Sequence, residues 1–77
     1  MEEKILAIMK EIRNDIDFEK ETALIDDKVL DSFDIVSLIS ELNDTFDIEI
    51  GIDDMTNENF NSLSAVRKMV EHLLDGD

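Results

Sequence analysis

A small all-α fold, with three main helices and one short one around a thin core, is what this 77-residue sequence predicts. Three observations carry that reading. Apolar residues recur at helical spacing in three separate stretches, only one short stretch alternates with the period of a strand, and the first and second helices are joined by a long segment with no period at all. Residues 1–77 are expected to form a single domain. A chain this short buries only about 60% of the surface its unfolded form exposes, so no deep catalytic pocket is expected.

The first helix is expected over Glu3 to Asn14, where Ile5, Ile8, Met9 and Ile12 share a face and Leu6 widens it. Glu2 and Glu3 suit the positive pole of the helix, and Lys10 and Arg13 suit the negative one. Asn14 and Asp15 close it, and Ile16 and Phe18 continue the apolar stripe into the core. Residues Asp17 to Leu30 then read as a long loop. Such a loop is uncommon unless it is functional or pinned by its own side chains. Leu24 and Ile25 are the expected plugs, and Val29 and Leu30 lead on to a serine.

The second helix is expected from Phe33 to Phe46, with Asp31 as N-cap and Asp34 at the third helical position. Ile35, Leu38, Ile39, Leu42 and Phe46 form its buried stripe. Phe33 and Val36 lie off its centre and either widen the core face or remain at the surface beside the serine as a partner contact. Asp47 to Asp53 alternates locally like a strand, but a lone strand cannot satisfy its backbone, so this segment is expected to be an extended connector whose isoleucines pack against the helices. Met55 to Phe60 can form the short helix, capped by Asp53, Asp54 or Thr56. Ser62 caps the last helix, which buries Leu63, Val66, Met69, Val70, Leu73 and Leu74 and ends at Gly76.

Charge narrows the range of functions. Twenty-one acidic residues against seven Lys and Arg give a net charge of −14, which disfavours nucleic acid and anionic membranes as partners and favours fast docking onto basic protein surfaces. There is no Cys to form a disulfide or thiolate metal site, and no stretch is apolar enough to span a bilayer. A soluble, cytoplasmic protein is expected, without stable membrane insertion.

Candidate chemistry is sparse. A nucleophilic serine needs a nearby base, and the single histidine, His72, is expected at the surface of the last helix. Asp47 to Glu58 has the length and acidity of an EF-hand loop, but its sixth position is Ile52, with Gly51 one residue early, so no metal ligands are assigned. The pairs Asp26-Asp27 and Asp53-Asp54 read as solvated turn and cap residues. Ser32 is different. Asp31 already supplies the cap, which leaves the hydroxyl free, and Leu30, Phe33 and Val36 surround it. The start of a helix also favours an attached phosphate through its free amides and positive pole.

Asp31-Ser32-Phe33, followed by Val36, Leu38, Leu42 and Phe46, resembles the acyl and peptidyl carrier proteins across essentially the whole chain. The resemblance implies an acyl-carrier-like four-helix bundle with a long first loop, no catalysis of its own, and a covalent 4'-phosphopantetheine derived from coenzyme A. Ser32 would be the attachment site, and Asp31, Phe33, Val36 and Ser40 would meet partners. Those partners would be a phosphopantetheinyl transferase and the enzymes that load and unload an acyl or aminoacyl thioester on a monomeric carrier. Phe33 stands where the family usually has leucine, the glycine often found before the aspartate is missing, and Ser37 and Ser40 depart from fatty-acid carriers. Val29 to Phe33 together with Phe46-Asp47-Ile48 resemble the D-alanyl carrier proteins and the stand-alone carriers of specialised pathways. The alternative is an acidic protein- or metal-binding module without a prosthetic group.

Overall fold

The computed structural model describes residues 1–76. They form four α-helices, α1 (Glu2–Ile12), α2 (Ser32–Phe46), α3 (Asn57–Phe60) and α4 (Leu63–Leu74), with a single 3-10 turn at Ile52–Asp54 and no strand. Helix α1 packs against both α2 and α4, and α3 packs on α4. One core results, built from Ile5, Ile8 and Met9 of α1, Leu38 and Leu42 of α2, Phe60 of α3, and Leu63, Val66, Met69 and Val70 of α4.

The expected spacing is realised in each main helix, with differences at the ends that have local causes. Helix α1 stops at Ile12, two residues before the expected Asn14, because Arg13 turns extended (φ −141°) while its amide still donates to the Met9 carbonyl. Helix α2 begins one residue early, at Ser32, behind an Asp31–Asp34 capping box. It ends in a left-handed Asp47 (φ 54°), a conformation that aspartate tolerates better than most residues. Thr56 caps α3 and Ser62 caps α4, the latter accepting from the Ala65 amide at 3.0 Å. Past α4, Gly76 takes the left-handed conformation (φ 76°) that only glycine adopts at no steric cost.

The long first loop contains successive turns and is pinned from within. Phe18 and Leu24 are buried in the core and Leu30 nearly so, while Ile25 and Val29 are half-buried against it. The loop is also tied across the molecule. The Leu24 amide donates to the Asn61 carbonyl at 2.8 Å, the Asn61 side-chain oxygen accepts from the amides of Ile25 and Asp26, and its nitrogen donates to the Asp26 carboxylate. Asn57 donates to the other Asp26 oxygen. Asp26 is thus half of a latch and not simply a solvated turn residue.

Two apolar expectations are corrected. Ile50 is buried and Ile48 half-buried, held by the Ile50 amide donating to Asn43 Oδ1, but Ile52 is 87% exposed. The 3-10 turn starts at Ile52 and rotates its side chain away from the helices. Leu74, at the end of α4, is also largely exposed, since the bundle beneath it has run out.

Candidate functional site

Ser32 occupies the first helical position of α2, and the geometry there follows from the residue before it. The Asp31 Oδ1 accepts from the Asp34 amide at 2.9 Å, and the Asp34 Oδ2 accepts from the Asp31 amide at 3.2 Å. Each carboxylate satisfies an amide that the helix start would otherwise leave bare. Ser32 is therefore not needed as a cap: it is exposed, and its hydroxyl makes no side-chain hydrogen bond among the described residues.

The serine opens onto a shallow depression of about 420 Å³ lined by Ile25, Lys28, Leu30, Ile35, Val36 and Met55, with Asp31 at its edge. Loop, α2 and the segment before α3 each supply part of this wall. The Asn61 latch holds Ile25 in place, and the cap of α2 fixes Asp31 and Ser32. Lys28 is the one cation lining the depression among the described residues, and it sits in the left-handed region (φ 59°). The turn into Val29 requires that conformation, one that glycine adopts more readily than lysine.

Beside the depression lies apolar surface. Phe33 is 84% exposed and Val36 61%, which places both on the outside of α2. Ser32, Val36 and Ser40 follow one another at intervals of four residues and so share one helix face. Beyond Ser40 that surface turns acidic, with Glu41 and Asp44. Met55, 47% exposed, extends the apolar surface on the far side of the depression. Spacing within α2 revealed Phe33 and Val36, but nothing in the sequence marked Ile25, Lys28 and Met55 as neighbours of the serine, because three separate segments bring them together.

Arg13 anchors the site from below. Its Nε and Nη2 both donate to Asp15, and Nη1 donates to Asp34 Oδ2 at 2.9 Å and to the Val29 carbonyl at 3.4 Å. These contacts push the guanidinium pKa above its ordinary value, Asp15 contributing first and Asp34 next. In return the Arg13 hydrogen bond holds the Asp15 carboxyl below the usual carboxylate range. Arg13 was expected to complement the C-terminal pole of α1; instead it bridges to the cap of α2.

The other candidates lie elsewhere. His72 is exposed on α4 and lines a separate depression with Asp54, Asn59, Lys68 and Met69. Within the acidic connector, the Asp54 carboxylate accepts from the Gly51 amide at 3.1 Å, and among the described residues no three acidic or histidine side chains converge as metal ligands.

A family model described as "Phosphopantetheine attachment site" matches residues 3–72. The chain belongs to the phosphopantetheine-attachment family of carrier proteins. D-alanyl carrier proteins of Bacillus cereus and Bacillus anthracis are 34% identical to it over 73 residues, a span covering 92% of this chain and 92% of theirs. As a carrier it bears a covalently attached 4'-phosphopantetheine and is not itself an enzyme; a phosphopantetheinyl transferase and separate loading and transferring enzymes act on it. The residues present fit the prosthetic group. A free hydroxyl stands at a helix start whose amides favour a phosphate, beside a lysine and an open apolar wall on which the carrier's arm can lie. Among the described residues, no helix of the carrier is long and apolar enough to cross a membrane.

Proposed function

We propose that Ser32 is the attachment site and that the carrier holds an acyl or aminoacyl group there for transfer between enzymes, a D-alanyl group being the favoured cargo. The observation that carries this is the division of labour at the start of α2: Asp31 caps the helix, so Ser32 is left exposed with an uncommitted hydroxyl. The thiol of the attached group supplies the thioester chemistry. In the modification, Ser32 Oγ gives up its proton and attacks the pantetheine-bearing phosphorus of coenzyme A, the pyrophosphate P–O bond breaks so that 3',5'-adenosine diphosphate leaves, and the helix amides around the serine offset the charge that arrives.

Two observations support a small cargo. The matched relatives carry the name D-alanyl carrier protein, and the interior beside the site is filled. Met9, Ile12, Phe18, Leu30, Asp34 and Leu38 enclose no space that would take even a water molecule. A short aminoacyl group can ride on the open wall of Ile25, Val36 and Met55 without entering the core. Fatty-acid or polyketide cargo needs that interior to open.

Asp31, Phe33, Val36 and Ser40 form the docking face of a carrier working as a monomer in the cytoplasm. Phe33 and Val36 give the face apolar contact area, and the acidic surface beyond Ser40 steers basic partners toward it. Intact mass before and after incubation with coenzyme A and a broad-specificity phosphopantetheinyl transferase is the test, with Ser32→Ala alongside. A gain of one phosphopantetheine that vanishes in the variant is expected. No gain in folded, unmodified protein would sink the assignment and leave the acidic binding module as the better reading.

A further inference from the structure

We propose that Arg13, partly exposed just past the end of α1 and bonded to the α2 cap, is a positioning residue for the modification of Ser32. By this account it neutralises Asp34 and clamps the Asp31–Asp34 box so that the helix start can accept a further negative charge. This rests on Ser32 being the attachment site. A single carboxylate oxygen, Asp34 Oδ2, is shared between two donors, the Arg13 guanidinium at 2.9 Å and the Asp31 amide at 3.2 Å. The same guanidinium nitrogen reaches the Val29 carbonyl, so Arg13 bridges Val29 and Asp34, one on each side of the short segment that carries the serine. Its Nε and Nη2 are held by Asp15 at 3.1 Å each, which fixes the plane of the fork.

Charge gives the contact its purpose. Asp31 and Asp34 flank Ser32, and a phosphodiester on that serine places a third negative charge beside them. Asp34 is well covered, its side chain only 13% exposed, so water screens it poorly and a cation must do so instead. Among the described residues Arg13 is the cation that pairs with it. In a chain where acids outnumber Lys and Arg threefold, one arginine has been placed directly under the helix start that is modified. A strut joining α1 to α2 would also make these bonds, and it would differ in one respect: its loss would affect apo and modified protein alike.

The test uses Arg13→Gln, Arg13→Met, Arg13→Lys, the doubly neutral Arg13→Gln/Asp34→Asn, and Lys20→Ala as a control that removes one cation from the Lys20–Asp17 surface pair. Two quantities are read: the kinetics of phosphopantetheinylation, and the difference in Tm between modified and apo forms of each variant. For Arg13→Gln, kcat should fall on the order of tenfold with KM nearly unchanged, because the docking face is intact while the serine is held less well. Modification should also lower the Tm of this variant by on the order of 3 °C more than it lowers that of the wild type. The double variant should recover most of that excess, since the uncompensated carboxylate is gone, and Lys20→Ala should match the wild type in both readouts. Wild-type kcat together with a wild-type Tm difference in Arg13→Gln would show that Arg13 is a strut only and overturn the proposal. Should Arg13→Gln fail to fold, Arg13→Met decides: it keeps the aliphatic stem but loses both charge and fork, so a lowered kcat with an enlarged Tm difference supports the proposal and wild-type values of both overturn it, while Arg13→Lys separates the charge from the fork. Absence of any mass gain in the wild type would overturn the attachment reading itself, which is a different result from a wild type that is modified and an Arg13→Gln that is modified equally fast.

Discussion

Replacing Asn61 with alanine removes three hydrogen bonds at one stroke while leaving the helices untouched. The Asn61 side-chain oxygen accepts from the amides of Ile25 at 3.0 Å and Asp26 at 3.1 Å, and its nitrogen donates to the Asp26 carboxylate at 3.0 Å. A typical hydrogen bond contributes about 1 kcal/mol net, and a half-buried amide left without a partner adds to the loss. The Asp26 amide is exposed and recovers part of its share from water, so the expected cost is about 2 kcal/mol. For a domain of this size that corresponds to a Tm lower by roughly 8–16 °C. Against a total stability of roughly 4–12 kcal/mol for a chain of this length, it is a substantial fraction. Urea unfolding followed by far-ultraviolet circular dichroism measures it, and amide exchange at Leu24 to Asp26 locates it. Asn57→Ala, which loses one exposed bond to the same carboxylate, should stay within about 0.5 kcal/mol of the wild type. Asn61→Asp keeps the acceptor but loses the donor and sets two carboxylates face to face, so it should also be less stable than the wild type at pH 7. An Asn61→Ala midpoint indistinguishable from that of Asn57→Ala would refute the latch as the element holding the loop.

Three other outcomes are expected. Lys28→Gly should raise stability by about 0.5 kcal/mol, because relief of the left-handed strain at φ 59° outweighs the extra freedom glycine gives the unfolded chain; a lower denaturation midpoint would show that the lysine is unstrained. The Asp15 carboxyl is depressed by Arg13, so its contribution is fully present above the ordinary carboxylate pKa of about 3.9 and is lost as pH falls through the lower folded value. Midpoints of wild type and Asp15→Asn should accordingly differ at pH 7 and converge in strong acid, and a gap independent of pH would contradict the pairing. Phe33→Ala should leave stability within about 0.5 kcal/mol, since the ring is 84% exposed, yet weaken binding to the transferase about tenfold in titration calorimetry. Unchanged affinity would remove Phe33 from the docking face.

Much of the architecture is visible in the spacing of apolar residues, because each main helix buries one stripe and that stripe repeats with the helix. Ile5, Ile8 and Met9 in α1 and Val66, Met69 and Val70 in α4 are examples, and all of them are buried. The capped start of α2 is likewise readable, since Asp31 and Asp34 act within a single turn. Interactions between distant positions leave no such trace. Asn61 reads as one polar residue among several, and only the fold reveals that it holds Ile25, 36 positions away. Arg13 looks like a helix-ending cation because its partner Asp34 lies 21 positions further on. The exposure of Ile52 defeats the alternating pattern for a related reason: a 3-10 turn has a period of neither two nor 3.6 residues, so the isoleucine continues a rhythm that its backbone does not follow.

The latch between the first loop and the residue after α3 also bears on how the chain folds. Helical contacts form early because they are local, whereas joining Ile25 to Asn61 closes a long stretch of chain and must wait until α2 and α3 stand in position. The loop that delivers Ser32 is therefore expected to settle last and to come loose first. In a chevron plot of Asn61→Ala, most of the lost stability should then appear as faster unfolding with the refolding limb nearly unmoved, and a slowed refolding limb would instead place the latch in the folding nucleus. On this route Ser32 stands at the capped start of α2 before the loop has closed, so what the latch completes last is the wall of Ile25, Lys28 and Leu30 beside the serine.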